Sequence, residues 1–276
     1  MLVFVWAVAF AFIYGLVIGS FLNVVIYRVP RGESTVSPPS ACPQCGTRIR
    51  PVDNIPVLSW LLLCGRCRHC GEPISPRYLF VELGTALTFA AITWWALRNG
   101  LPADTAGVIA LVLGLIALLY LAAISVALGL IDAATRRLPN RILFPAYWVS
   151  AILLAATALV AGEPERLLGA LGGGAALFSL YFALAIIRPG GMGFGDVKLA
   201  GLLGLYLGWF GWPQLIVGAF GAFLLGGLFG LILLAIKRAG RTSSIPFGPW
   251  MLAGAWIGIL FGDALAYGYL RLYGLA

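Results

Sequence analysis

Two aspartates far apart in the chain stand where a charge is costly. Asp132 closes an apolar run in "ALGLIDAATRRLPNRI", and Asp196 follows glycines at the mouth of another in "GMGFGDVKL". An ionised side chain at the centre of a bilayer costs roughly 2.5–3.5 kcal/mol even on a lenient scale. Two carboxylates that meet at one depth cannot both ionise easily, so one keeps a proton. The ionised member can then take a proton from water, while the protonated member polarises a peptide carbonyl and later protonates the amine. That is aspartic-protease chemistry placed in a membrane. Gly193 and Gly195 suit it, because a backbone without side chains lets an extended substrate strand lie beside Asp196. The same residues would also serve as an interhelical loop with Asp196 as an N-cap, but a second aspartate at matching depth favours the chemistry. Free backbone N–H groups at the helix start and Lys198 are expected near Asp196 to stabilise its anion, leaving Asp132, at a helix C-terminus, with the shared proton.

A second constellation lies upstream. "CPQCG" and "CRHCG" occupy residues 42–46 and 67–71. Two thiolates two residues apart grip a metal from a tight knuckle, and two knuckles complete a tetrahedral zinc site. Cys64 with Cys67 would form an alternative second knuckle. Cys67 with Cys70 is preferred, because glycine follows Cys70 as it follows Cys45, letting the backbone turn and aim N–H groups at the sulfurs. The expected ligands are Cys42, Cys45, Cys67 and Cys70, with His69 solvated. Four thiolates leave no open position, so the zinc would be structural, and so polar a loop would need it to fold. A cytoplasmic location argues against disulfides.

The elements that must hold these groups are transmembrane helices. Hydrophobic residues make up 61% of the 276-residue chain and charged ones 10%. Residues 107–131 carry no charge over 25 positions, and residues 199–236 none over 38. A span needs about 20 apolar residues, so the longer stretch should hold two, turning at Trp209–Pro213. The pattern predicts an all-α polytopic membrane protein with eight spans, near 3–27, 79–97, 107–131, 142–161, 167–187, 197–210, 215–236 and 247–270. The first is too long for a cleavable signal peptide and is followed, not preceded, by basic residues. Of the 18 Lys and Arg, only Arg98, Arg166 and Arg271 then fall outside. The other 15, among them Lys237, Arg238 and Arg241, face the cytoplasm. Both termini would be outside and the cysteine loop inside. The net charge of +8 is thus a topology signal, and no aromatic-basic interleaving suggests nucleic acid. The expected divisions are a first helix (1–27), a zinc loop (28–78) and a transmembrane bundle (79–276). Pairs such as Gly204 with Gly208 should serve close helix packing.

Taken in order, "GSFLNVVIYRVP", the two knuckles, "DNIPVLSWLLL", "ISPRYLFVELGTA", "IDAATRRLPNRI" and "GMGFGDVKLAGLLG" resemble the bacterial type IV prepilin leader peptidases, which double as N-methyltransferases. The resemblance implies an intramembrane protease of the Gly-x-Gly-Asp type. Such an enzyme removes a short basic leader from type IV prepilins or type II secretion pseudopilins, after a glycine, in the inner membrane. It then methylates the new amine with S-adenosylmethionine. The resemblance puts catalysis on Asp132 and Asp196, the metal on the four cysteines, and a methyl-transfer role on Gly65. Two positions depart from it: Cys64 replaces a usual arginine, and Asn140 a common aspartate. Methyl transfer needs a neutral amine and so a base; Glu82 and Asp53 are the nearby acids, although Glu82 serves equally as a helix-packing partner. The rival expectation is a transporter or channel with a regulatory zinc ribbon, which should show an internal hydropathy repeat; none is visible. A third is a membrane scaffold that docks a secretion ATPase through the ribbon.

Overall fold

The computed structural model describes residues 2–188, 191–236 and 246–274. Lys237, Arg238 and Arg241, three of the cations expected inside, lie outside the described residues. Among the described residues the main elements are helices: α1 (Leu2–Arg28), α2 (Leu58–Leu62), α3 (Arg77–Leu97), α4 (Thr105–Thr135), α5 (Asn140–Ala161), α6 (Glu165–Ile187), α7 (Phe194–Phe210), α8 (Trp212–Ala235) and α9 (Gly248–Leu272). Among the described residues, seven helices are long and apolar enough to cross a membrane: α1, α3, α4, α5, α6, α8 and α9. The eighth expected span, α7, is the short one at 17 residues, about 26 Å at 1.5 Å per residue.

Boundaries differ from expectation in three useful places. α4 runs a turn further, to Thr135, so Asp132 sits inside its last turn rather than beyond it. α7 starts at Phe194, three residues early, so Asp196 is already helical. The turn between α7 and α8 is the single residue Gly211, at φ 146°, rather than a five-residue link.

Two compact units emerge. The first comprises Met1–Ala103 with Leu115–Ala127. Here α1 lies against α3 along Gly15 and Gly19. A Cβ on Gly15 would stand 2.6 Å from the Ala86 Cα, and one on Gly19 2.7 Å from the Glu82 Cα. The opposite face of α1 exposes Trp6, Phe10, Ile13 and Val17. A whole apolar stripe left bare is what a lipid-facing helix presents.

The second unit comprises Asp104–Gly114 with Leu128–Ala276. α6 and α7 approach through glycines on both sides: a Cβ on Gly173 would lie 2.7 Å from the Gly208 Cα. α8 and α9 meet likewise, with a Cβ on Gly258 falling 2.9 Å from the Gly218 Cα. Removing side chains lets backbones touch, which is how helices associate where lipid gives no hydrophobic drive. α5 is joined to α7 by polar bonds instead. The Tyr147 hydroxyl donates to the Lys198 carbonyl at 2.6 Å, and the Tyr206 hydroxyl to Ser150 Oγ at 2.8 Å. These elements set the position of α7, and with it Asp196.

Candidate active site and metal centre

Both aspartates belong to the second unit. Asp132 is 4% exposed, in the last turn of α4. Its Oδ2 accepts a hydrogen bond from the Gly248 N–H at 3.0 Å. That donor comes from the first turn of α9, where early N–H groups have no partner inside the helix. Asp196 lies in the first turn of α7, and its Oδ2 accepts from the Gly193 N–H at 3.1 Å. Gly193, not Asp196, is therefore the N-cap, and the aspartate reaches back to it. Each aspartate gives its Oδ2 to a glycine amide.

The glycines have separate reasons to be glycine. A Cβ on Gly195 would stand 3.0 Å from the Leu138 Cβ. Gly193 is exposed and meets little but Asp196. Lys198 does not pair with Asp196. Residues two apart on a helix do not share a face, and the ammonium instead donates to Asn140 Oδ1 at 2.8 Å, between the Phe144 and Phe194 rings. The expected stabilisation of Asp196 by Lys198 is thus replaced by the Gly193 amide. The expected electrical difference between the aspartates also narrows, because Asp132 faces the N-terminus of α9 as well as the C-terminus of its own helix. Sequence reasoning missed Gly248, since α9 carries no ionisable group near it.

The cysteine loop belongs to the first unit. Its knuckles have the same build: the Gly46 N–H donates to the Cys42 carbonyl and the Gly71 N–H to the Cys67 carbonyl, both at 2.9 Å. Each is closed by one antiparallel bridge, Ala41 with Arg48 and Arg66 with Pro73. Gly46 and Gly71 have φ of 68° and 72°, a conformation that favours glycine. The four sulfurs of Cys42, Cys45, Cys67 and Cys70 lie within 4.8 Å of one another, with Cys42 and Cys70 at 3.8 Å. A tetrahedral site with Zn–S near 2.3 Å spaces its sulfurs about 3.8 Å apart, so the cage fits zinc. Hydrogen bonds from the Thr47 side chain and backbone pull the Cys45 thiol down to about 6. Backbone bonds from Cys70 and His69 lower the Cys67 thiol. Both effects favour the thiolate, whereas Cys70, despite a backbone hydrogen bond from Glu72, is pushed up to about 12 by burial and the neighbouring sulfurs, as expected where thiols crowd one centre. Cys64 and the exposed His69 are not part of the cluster.

The three residues proposed for methyl transfer all have partners within the loop unit. The Asp53 carboxylate is held by the Arg68 guanidinium at 2.6 Å, which keeps it well below the usual carboxylate range. Arg68 lies inside the second knuckle, so this pair ties the knuckle to the "DNIP" segment. Glu82, buried on α3, accepts from the Val57 N–H at 2.7 Å. Val57 has φ 63°, strained for a β-branched residue, and the bond fixes the loop in that shape. Gly65, at φ 65°, lies under Trp60, where a Cβ would fall 2.8 Å from the indole ring. These contacts shape the loop around the three residues.

Residues 13–96 match the family model for the bacterial peptidase A24 N-terminal domain, and residues 119–233 match the type IV leader peptidase family. A prepilin leader peptidase/N-methyltransferase of Pseudomonas putida is 36% identical over 290 residues, covering 97% of this chain and 95% of the relative. Proteins of the same name from Aeromonas hydrophila and Pseudomonas aeruginosa are 35% and 33% identical, each covering 94% of this chain and 92% of the relative. No solved structure matches the chain. With relatives this similar over nearly its whole length, the chain belongs to the type IV leader peptidase family.

Proposed function

We propose that the protein is an intramembrane aspartic peptidase that cuts the leader from type IV prepilins or pseudopilins after a glycine, and that it N-methylates the residue exposed. The observation that carries this reading is the carboxylate pair, each member held through one oxygen by a glycine amide in a single compact unit. One carboxylate takes a proton from water as the water oxygen bonds to the scissile carbonyl carbon. The protonated partner hydrogen-bonds the developing oxyanion, then gives its proton to the leaving nitrogen as the C–N bond breaks. Peptide and water become acid and amine, and the pair is restored. Gly193, exposed, leaves room for the substrate backbone beside Asp196, and Gly195 lets Leu138 pack against the same helix start.

The protein is a multi-pass inner-membrane enzyme; the excess of Lys and Arg supports a cytoplasmic cysteine loop and, with α7 as an eighth crossing, both termini outside. A basic leader is drawn to the same face, so its scissile bond is brought to the depth of Asp132 and Asp196. Cys42, Cys45, Cys67 and Cys70 would hold a zinc ion, which would fix the two knuckles of the loop, residues 28–78. S-adenosylmethionine, when bound, supplies the methyl group. Gly65, Asp53 and Glu82 contribute by keeping the loop in shape.

The test is cleavage of a synthetic prepilin peptide by the purified protein in detergent or nanodiscs. Mass spectrometry should find one cut, after the glycine that ends the leader. An intact peptide after prolonged incubation with folded protein would refute the reading.

A further inference from the structure

The start of α9, at Phe247 and Gly248, bears directly on Asp132. Gly248 is the first residue of α9, and three features single out its amide. Pro249, the next residue, has no N–H to give. The Trp250 and Met251 amides both donate to the Phe247 carbonyl at 3.1 Å. Of the amides at this helix start, the one at Gly248 is thus directed away from its own helix, onto Asp132 Oδ2 at 3.0 Å. Finally, a Cβ on Gly248 would stand 2.8 Å from that oxygen and 3.2 Å from the Asp132 Cγ, so any side chain would push the carboxylate aside.

Phe247 sets the direction of this amide. Its ring lies 6.3 Å from the Tyr181 ring of α6 and 5.5 Å from the Phe223 ring of α8. Tyr181 and Phe223 also pack on each other at 5.3 Å. Gly226 leaves the space the ring fills, since a Cβ there would be 2.6 Å from Phe247 Cε2. An aromatic ring wedged among helices in this way cannot turn without moving them, so the backbone that follows it is fixed.

We propose that Gly248 is a positioning residue for peptide cleavage: its N–H aims the Asp132 carboxylate, and the Phe247 wedge holds that N–H on target. The proposal rests on the reading of Asp132 as a catalytic group. Asp196 is aimed by Gly193 from its own helix start, whereas Asp132 is aimed by an amide 116 residues away in sequence. The two halves of the pair are therefore set by different segments. Displacing α9's entry should disable cleavage without removing either aspartate.

The cleanest test removes the N–H without adding a side chain, and changes otherwise only the Phe247 carbonyl, which becomes a weaker acceptor for Trp250 and Met251. Cell-free synthesis into nanodiscs with glycolate in place of Gly248 converts that amide to an ester and adds no side chain. Since this N–H makes no intrahelical bond, the helix should be retained. Kinetics on the synthetic leader peptide should show kcat reduced about 10- to 100-fold, the range for losing a hydrogen bond to a charged group. KM should stay within about twofold, as an orienting contact acts on the chemical step. Gly248→Ala should lose at least as much, with zinc content and helical circular dichroism unchanged. A wild-type kcat in the glycolate protein would overturn the proposal. So would a rise in KM alone, or loss of helical signal, which would make Gly248 a binding or purely structural residue. An Asp132→Asn protein that still cleaves would instead remove the peptidase reading, and the proposal with it.

Discussion

At the scale of residues, the centre depends on backbone amides as much as on side chains. Asp132 and Asp196 each accept from a glycine N–H, and the cysteine knuckles are shaped by glycines in the left-handed region. The cluster geometry makes a sharp prediction about the fifth cysteine. Cys70→Ser should empty the zinc site, whereas Cys64→Ser should leave about one zinc per chain, measured by elemental analysis of the purified proteins. The reverse pattern would show that Cys64 completes the second knuckle. The four ligands are legible in the sequence because a knuckle is a local object, with its cysteines and glycine close together in the chain. Gly248 is not legible there. Its partner lies 116 positions away, and it acts through an amide that every residue but proline carries. Lys198 misleads for a related reason: closeness in sequence to Asp196 does not put two side chains on one helix face.

At the scale of elements, the positions of α6 and α7 are set by glycines that let their backbones meet. Gly173 has no room for a side chain against Gly208, while a Cβ on neighbouring Gly172 would meet nothing within 4 Å. Gly173→Leu should therefore destabilise the protein by about 1–3 kcal/mol or more through overpacking. The expected readout is a lowered unfolding temperature in detergent, with Gly172→Leu close to wild type. Equal effects would mean that the interface is not the cause. The spans themselves are readable, since a long uncharged apolar stretch such as residues 107–131 finds its favourable solvent in the bilayer core. Their ends are harder. The expected start of α7 falls three residues late because the glycines of "GMGFGD" resemble a loop, yet Asp196 bonding back to Gly193 starts the helix there. The one-residue turn at Gly211 is hidden by flanking aromatics that suggest a longer link.

At the scale of the whole molecule, the two kinds of chemistry fall in different compact units. The cysteine cluster and the Asp53, Gly65 and Glu82 contacts belong to the first, and the aspartates to the second. Loss of zinc should accordingly impair methyl transfer more than cleavage. Prepilin processed by Cys42→Ser protein should carry cut but under-methylated N-termini in mass spectra; full methylation at the normal rate would contradict this separation. The central claim is that Asp132 and Asp196 together carry the peptidase reaction. The most direct measurement compares leader cleavage by purified wild type, Asp132→Asn and Asp196→Asn, each checked for membrane insertion, helical content and bound zinc. Wild type should release the leader, and each folded Asn variant should release no detectable product, because amide side chains can neither take nor supply the proton. Cleavage retained by either variant would contradict the account.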